Sequence, residues 1–592
     1  MHSLDPHQVY IPVLGTGFSI DTPIKVAKYG ISSVISLVDD VLIEQMRKHY
    51  SNLHGYRYEP INDRKEDHRA LRIEKYLNLV GELVEESIQA LRTSPFAESS
   101  EITRYFQLLP ECAEKSLFEA MSATSDFASK HGMQESLRKA IVPGSIDVNI
   151  MTKLDRDIYK GATVLDHKYA DAMSALRGYA NSKLDSTVEL SAGLNRKLFS
   201  YFSEFVDFFP NSDEQIKKKV ALKVSDFRSA MVQGRFLAKH GIWVSEYRIE
   251  SGINCGGHAF PTQGILFGPI LEEFRTRKGE LTETLFLLYV RALHEMKKPV
   301  VSAPPPICIT VQGGIITPGE QRFLIHHFGV DRTGWGTPFL FVREVTQLDD
   351  STFEVIKAAS KGDSYLSDSS PLGIPFWNIH STPSEQARRD KIEKGKPGSA
   401  CPKRYLVSNT EFSLKPVCTA SRKYQQMKLK QIFNDKTLDL KTKNALQLAI
   451  EAKSCLCQDL SGGVTRRLRI GKNIPTAVCP GPSVIYFDRE IGLDEMFDHI
   501  YGRCSSVLKE KFVPHMFIRE AEIYVEYYKS KLQKCLDGLA LQDKEWFVEF
   551  RKNLLDGVSF YEDFVKYIPE PERIDFSKGL LRLRGMIESL EA

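Results

Sequence analysis

Three glycine-bearing turns in this chain place groups that could do chemistry. In Asn254-Cys255-Gly256-Gly257-His258, two glycines clear space around an imidazole. With a reference pKa of about 6.5, that ring suits proton transfer near neutral pH. Gly313-Gly314 and Gly336-Thr337 remove side chains where backbone N–H groups would have to approach an anion closely. Between them, Thr317-Pro318-Gly319-Glu320 reads as a helix start, with a hydroxyl N-cap, proline at the first helical position and an acid three residues after the cap. The positive end of that helix dipole adds to a phosphate site. A phosphate-bearing cofactor beside a histidine base is the chemistry these groups imply. Each also has a structural alternative: the glycines as tight strand-to-helix turns, and His258 as a hydrogen-bonded turn residue.

Positioning such groups requires a frame. From residue 11 to about 345, short β-branched apolar runs alternate with stretches of helical period, the pattern of a parallel α/β fold. Eight runs read as strands: Tyr10 to Leu14, Ile31 to Ser36, Ser145 to Ile150, Thr187 to Ser191, Val220 to Ser225, Ile242 to Ile249, Ile307 to Gln312 and Arg332 to Phe339. Eight suit a closed (β/α)8 barrel over residues 1–345, whose active site lies at the C-terminal strand ends. Helices are expected at Asp171 to Lys183, Arg196 to Phe208, Ser229 to His240 and Pro318 to Phe328. Residues 51–140 read as a helical insertion after strand two, with one long amphipathic helix over Leu71 to Leu91. Residues 346–592 read as a mainly helical extension, with a long loop at Ser364 to Ala400 and helices at Tyr424 to Ala452, Leu493 to Glu510 and Ala521 to Leu539.

The turns after strands six, seven and eight resemble those of the nitronate monooxygenases (2-nitropropane dioxygenases), within the group of FMN barrels that includes IMP dehydrogenase and the glutamate synthase flavin domain. The shared features are Cys255-Gly256-Gly257-His258, Gly313-Gly314-Ile315 and Gly336-Thr337-Pro338-Phe339-Leu340, in that order. The resemblance implies that Gly313, Gly314, Gly336 and Thr337 hold an FMN phosphate and that His258 faces the flavin as a base or substrate-orienting group. Gly15, Gly17, Gly256 and Gly257 join the implied cofactor-binding set. Strand one ends in Gly15-Thr16-Gly17-Phe18 where the family carries Pro-Met, which leaves the substrate open. Polar strand ends such as Lys223, Asp226, Arg248, Glu250 and Asn254 would suit a polar substrate or form ion pairs inside the barrel.

Ten cysteines in a long chain without an apolar leader read as free thiols or metal or redox groups rather than a disulfide frame. Cys401, Cys418, Cys455 and Cys457 stand among Gly, Pro and Ser, so an iron–sulfur cluster like that of the glutamate synthase flavin domain is a second possibility beside free thiols. Net charge is +3 from 79 basic and 76 acidic residues, which points to neither nucleic acid nor an acidic membrane. No run approaches the roughly 18 apolar residues of a spanning helix, so a cytoplasmic protein is expected. The resulting expectation is an FMN-dependent oxidoreductase, of monooxygenase or dehydrogenase type, acting on a small carbon acid. An electron-transfer partner is possible. The alternatives are an iron–sulfur flavoprotein and a non-catalytic barrel that binds a phosphorylated ligand.

Overall fold

The computed structural model describes residues 5–591 except 162, 258–262, 540–541 and 571. Its centre is a closed barrel of parallel strands, β1 (Val9–Ile11), β2 (Ser32–Ser36), β3 (Ile146–Ile150), β4 (Thr187–Leu190), β5 (Lys219–Val224), β6 (Val244–Glu250), β7 (Cys308–Gln312) and β8 (Arg332–Gly334). Each strand pairs with its neighbours in sequence, and β8 closes on β1 through Val9 beside Thr333. Every residue of β2, β3 and β4 is buried. Helices cover the outside of the barrel while side chains fill its inside, and the polar strand residues held there, such as Asp147, Glu189 and Arg248, pair with one another.

Four helices lie between the first helix after β2 (Asp40–Leu53) and β3: His68–Thr93, Glu101–Leu108, Ala113–Ala123 and Phe127–Ala140. The long amphipathic helix finds its partner in Asp171–Asn181, where Gly178 lets the helices close up: a Cβ there would lie 2.6 Å from the Ala70 carbonyl oxygen. Arg69 and Arg72 pin this helix to the barrel, bonding Asp40 at 2.7 and 2.8 Å, and Arg69 also reaches Asp171 at 3.2 Å.

Several elements differ from expectation. β8 stops at Gly334 rather than Phe339, because Pro338 lacks a ladder N–H and opens the short helix Thr337–Leu340. The stretch expected as a loop holds an antiparallel hairpin, Ser364–Ser367 with Phe376–Ile379, and the helix Pro383–Glu393. The expected helix over Tyr424 to Ala452 is two, Arg422–Asn434 and Leu440–Glu451, the second started by Asp439 accepting from the Thr442 N–H. Leu493–Ile500 ends just before Gly502, whose φ of +70° a helix cannot contain. Met516–Leu536 begins five residues before the expected Ala521, and Lys544–Phe564 and Glu572–Glu588 follow.

The C-terminal region does not hang from the barrel. Phe487, Phe497 and Phe517 belong to the same apolar core as the strands, and the Phe341 and Phe487 rings stack with centroids 4.9 Å apart. Leu460, Cys479, Pro480 and Arg519 bond Gly17, Gly256, Thr337 and Gly314 and so cover the barrel mouth, while Phe497 and Tyr501 pack on His7 ahead of β1. No described helix is long and apolar enough to cross a membrane.

Candidate active site

The barrel interior is organised around Arg248 of β6, which is fully buried. Its guanidinium bonds Glu246 at 2.5 Å, Asp147 of β3 at 3.1 Å and Glu189 of β4 at closer range, and it lies 4.4 Å above the Tyr10 ring. One layer nearer the mouth, the Lys223 ammonium stands 3.2 Å from Glu189 and 2.8 Å from Glu250. The Gln312 and Asn254 amides each donate to the same Glu250 oxygen at 2.6 Å. Burial alone would lower the Lys223 pKa, but the Glu250 and Glu189 carboxylates outweigh it and hold the ammonium above its ordinary value. Lys223 is therefore a fixed cation at neutral pH.

Of the polar strand ends, then, Arg248 is an internal ion pair, while Lys223 and Glu250 reach the mouth. Asp226 is neither, since it caps the helix Phe227–Ala238 by accepting from the Ser229 N–H at 2.7 Å. Lys223 and Glu250 line a cavity of about 130 Å³ together with Val13, Asn149 and the backbone of Gly256 and Gly257. Phe376, Leu456 and Cys457 of the C-terminal region wall its outer side. Lys153, Leu154 and Leu406 are shared with an adjoining open cleft of about 1060 Å³, so a molecule longer than the inner cavity can extend outward.

The expected site residues divide between this cavity and the packing around it. Gly257 borders the cavity, and a Cβ there would meet nothing within 4 Å. Gly256, at φ +81°, donates its N–H to the Cys479 carbonyl at 3.1 Å, and any side chain on it would strike the Val13 carbonyl. The turn that presents position 258 is therefore one only glycine can make; His258 itself lies outside the described residues. Gly15 and Gly17 face protein: Gly15 makes room for the Phe18 ring, and Gly17 donates to the Leu460 carbonyl at 3.2 Å. Cys255 is buried and burial pushes its thiol pKa far up, so it acts as a small apolar residue.

The implied phosphate turns are adjacent, as expected. Their side-chain-free faces are filled by protein: Gly313 by Ser251 and Asn254, Gly314 by Ile253 and Gly336 by Cys255. The Thr337 hydroxyl donates to the Pro480 carbonyl at 2.7 Å, and the Glu320 carboxylate caps the Ile316 and Thr317 N–H groups. Arg519 closes over these turns already paired, its guanidinium bonding the Glu320 carboxylate at 2.5 Å, the Gly314 carbonyl at 2.8 Å and the Ser483 hydroxyl at 2.7 Å. Arg519 was not visible as a site residue, because it lies on a helix some two hundred positions downstream with no motif around it.

Cys401, Cys418, Cys455 and Cys457 come together in a small apolar cluster with Leu154, Tyr405 and Leu406, and all four are free thiols. Cys479 is apart, its thiol donating to the Gly257 carbonyl at 3.0 Å. Among the described residues, no group of three or more His, Cys, Asp or Glu side chains is placed to hold a single metal ion.

The chain matches no family model and no curated protein. Among solved structures, it is similar to the enoyl reductase domain of MlnA from the macrolactin biosynthesis cluster of Bacillus amyloliquefaciens. Identity is 14% over 69% of this chain and 86% of that one, with a TM-score of 0.33. A likeness of that size says nothing about chemistry.

Proposed function

We propose that the chain is an FMN-dependent oxidoreductase that deprotonates and oxidises a small carbon acid at the barrel mouth. The observation that carries this reading is the cavity itself, which sets the Gly256-Gly257 turn leading to His258 against a buried, permanently charged Lys223. A bound flavin supplies the electron sink for such a reaction. Gly257 and Lys223 would hold its ring, and only backbone N–H groups of the turns at Gly313, Gly314, Gly336 and Thr337 would be left for its phosphate, since protein fills the side-chain-free faces there. The chain's own residues do the rest. His258 takes the substrate's acidic proton, and the Lys223 ammonium faces the negative charge that the deprotonated carbon delocalises. Glu250, fixed by Gln312 and Asn254, keeps Lys223 aimed at the cavity. The walls from Phe376 and Leu456 exclude water from the deprotonated substrate.

The purified protein is expected to show the paired near-ultraviolet and blue bands of oxidised flavin, bleached by an active substrate under anaerobic conditions. His258→Ala should keep those bands and slow the bleaching at least about a hundredfold, the lower range for a positioned base. A colourless chain that takes up no flavin on reconstitution would overturn the cofactor. Unchanged bleaching in the variant would overturn the role of His258. A colourless protein that still binds phosphorylated small molecules would favour the non-catalytic barrel.

A further inference from the structure

The open cleft outside the inner cavity has no task in the reaction described so far. Its volume of about 1060 Å³ is at the top of the scale, about 300 to 1,000 Å³, at which a site holds a whole small molecule. Lys153, Leu154 and Leu406 join it to the inner cavity. Its walls carry an excess of positive charge. Asp155 and Asp157 are the carboxylates among its described lining residues, and both are engaged. The His167 ring nitrogens lie 3.1 Å from Asp155 and 3.9 Å from Asp157, and the Asn195 amide donates to Asp155 at 2.8 Å. Two of the lining cations are neutralised from outside the cleft, Arg156 by Asp171 at 2.7 Å and Lys403 by Asp39. Among the described residues, Arg196, Lys197 and Arg404 pair with no carboxylate, and Lys415 meets the Gly161 carbonyl at 3.2 Å. These four line the cleft and not the inner cavity.

A single unpaired lysine or arginine on a convex surface needs no explanation, because water solvates it. Four that line one concavity repel one another and focus a positive potential into it, and a bound anion relieves that repulsion. A monocarboxylate would satisfy one arginine fork and leave the other cations as they are. An anion with several charges spread along its length matches all four, and a diphosphate is such a group. The junction with the inner cavity is apolar at Leu154 and Leu406, so the charged part of a ligand belongs further out. Tyr159 adds a flat surface there. It belongs to a short hairpin, Tyr159–Lys160 paired with Thr163–Val164, is 38% exposed, and has the Lys415 ammonium 5.2 Å from its ring. An exposed ring beside cations offers a stacking face to a nucleobase. We propose that this cleft binds a nucleoside diphosphate, with the diphosphate among Arg196, Lys197, Arg404 and Lys415 and the base on Tyr159. The rest of the molecule passes Leu154 and Leu406 into the inner cavity.

Joined to the proposed function, this makes the carbon acid the head of a nucleotide-tailed substrate; that step rests on the flavin reading, whereas the binding does not. Calorimetry on the full chain with ADP as the probe is expected to show one site, weakened several-fold between about 50 and 500 mM salt. Adenosine and inorganic phosphate should each bind at least about tenfold more weakly than ADP. The double variant Arg196→Gln, Lys197→Gln, at exposed positions, should weaken ADP at least about tenfold with an unchanged urea midpoint. Lys472→Gln, at an exposed cation outside the cleft, should leave binding as it is. No binding at millimolar ADP, equal binding of inorganic phosphate, indifference to the double variant, or tighter binding of a single-stranded oligonucleotide would each overturn the assignment. Two further ligands tell the source of the nucleotide. Displacement of ADP by coenzyme A without flavin bleaching by NADPH identifies a tailed substrate, and anaerobic bleaching by NADPH identifies a dinucleotide; both support the cleft. Flavin is read separately by its absorption. A colourless chain that binds ADP removes the proposed oxidoreductase and leaves this site standing, and a flavin-loaded chain that ignores ADP does the reverse.

Discussion

Replacing Arg248 by methionine is expected to cost the fold about 4 kcal/mol at pH 7, the scale of breaking a fully buried ion pair by removing one partner. Methionine fills much of the volume. What it cannot replace is the charge that Asp147, Glu189 and Glu246 face from three strands of the barrel. Part of the loss is offset, because Glu189 keeps Lys223 and Glu246 keeps Arg332 at 3.2 Å. In the wild type, burial pushes the Glu189 pKa up but Lys223 and Arg248 outweigh it and hold it below the usual carboxylate value. Without Arg248 that balance tips upward, so the folded variant binds protons that the unfolded chain releases. The sign follows: the deficit is largest at neutral pH and shrinks as pH falls toward 5. Urea unfolding at pH 7 and pH 5 reads both features. A deficit under about 1 kcal/mol at pH 7, or one independent of pH, would mean that the network does not hold the barrel together. The double variant with Glu189→Gln should recover part of the loss, since one uncompensated carboxylate is gone.

The contrast between Arg248 and His258 shows which parts of this molecule could be read in advance. Period and punctuation fixed the barrel, because each strand must be short, buried and followed by a helix start. Pro318–Phe328, with its Thr317 and Glu320 capping box, matches its expected bounds, since every signal for it is local. The glycine turns were legible for the same reason: Gly256 at φ +81° and Gly314 at φ +80° need glycine whatever occupies the site. Partnership across the chain was not legible. Whether Arg248 pairs inward or faces a ligand depends on Asp147 and Glu189, 101 and 59 residues away on other strands. The C-terminal region illustrates the limit further. Its helices have weak local signals, and residues such as Arg519 gain their meaning only when tertiary packing sets them against Gly314. The four cysteines fall between these cases, visible as reactive residues in irregular backbone but with no spacing that announced their meeting in one apolar cluster.

Glu520, one residue further along the same helix, gives the strongest expected dependence of stability on pH. Its carboxyl is buried and accepts the Phe267 N–H at 2.8 Å, and it also contacts the Gly252 backbone. It thus clamps both ends of the segment between β6 and the helix Phe267–Glu295, the segment that carries His258. Burial pushes its pKa from 4.5 to about 8, and the hydrogen bonds from Phe267, Gly252 and Tyr524 only partly oppose this. A raised carboxyl pKa means that the native state holds a proton the unfolded chain has lost. Stability from this group is therefore complete below about pH 4.5 and declines as pH rises through the window to about 8. At about 1.4 kcal/mol per pH unit across that window, the wild type should lose on the order of 5 kcal/mol by pH 8.5 from this residue. Glu520→Gln keeps the shape and an acceptor oxygen for Phe267 but cannot ionise. It should flatten the decline and leave the variant more stable than the wild type at pH 8.5, with little difference at pH 4.5. Because the clamp holds the Gly252 and Phe267 backbone, hydrogen exchange of those two amides should slow at alkaline pH in the variant. Parallel stability–pH curves for the two proteins would show that Glu520 is ionised in the fold at no cost, and the clamp would have to be redrawn around a charged carboxylate.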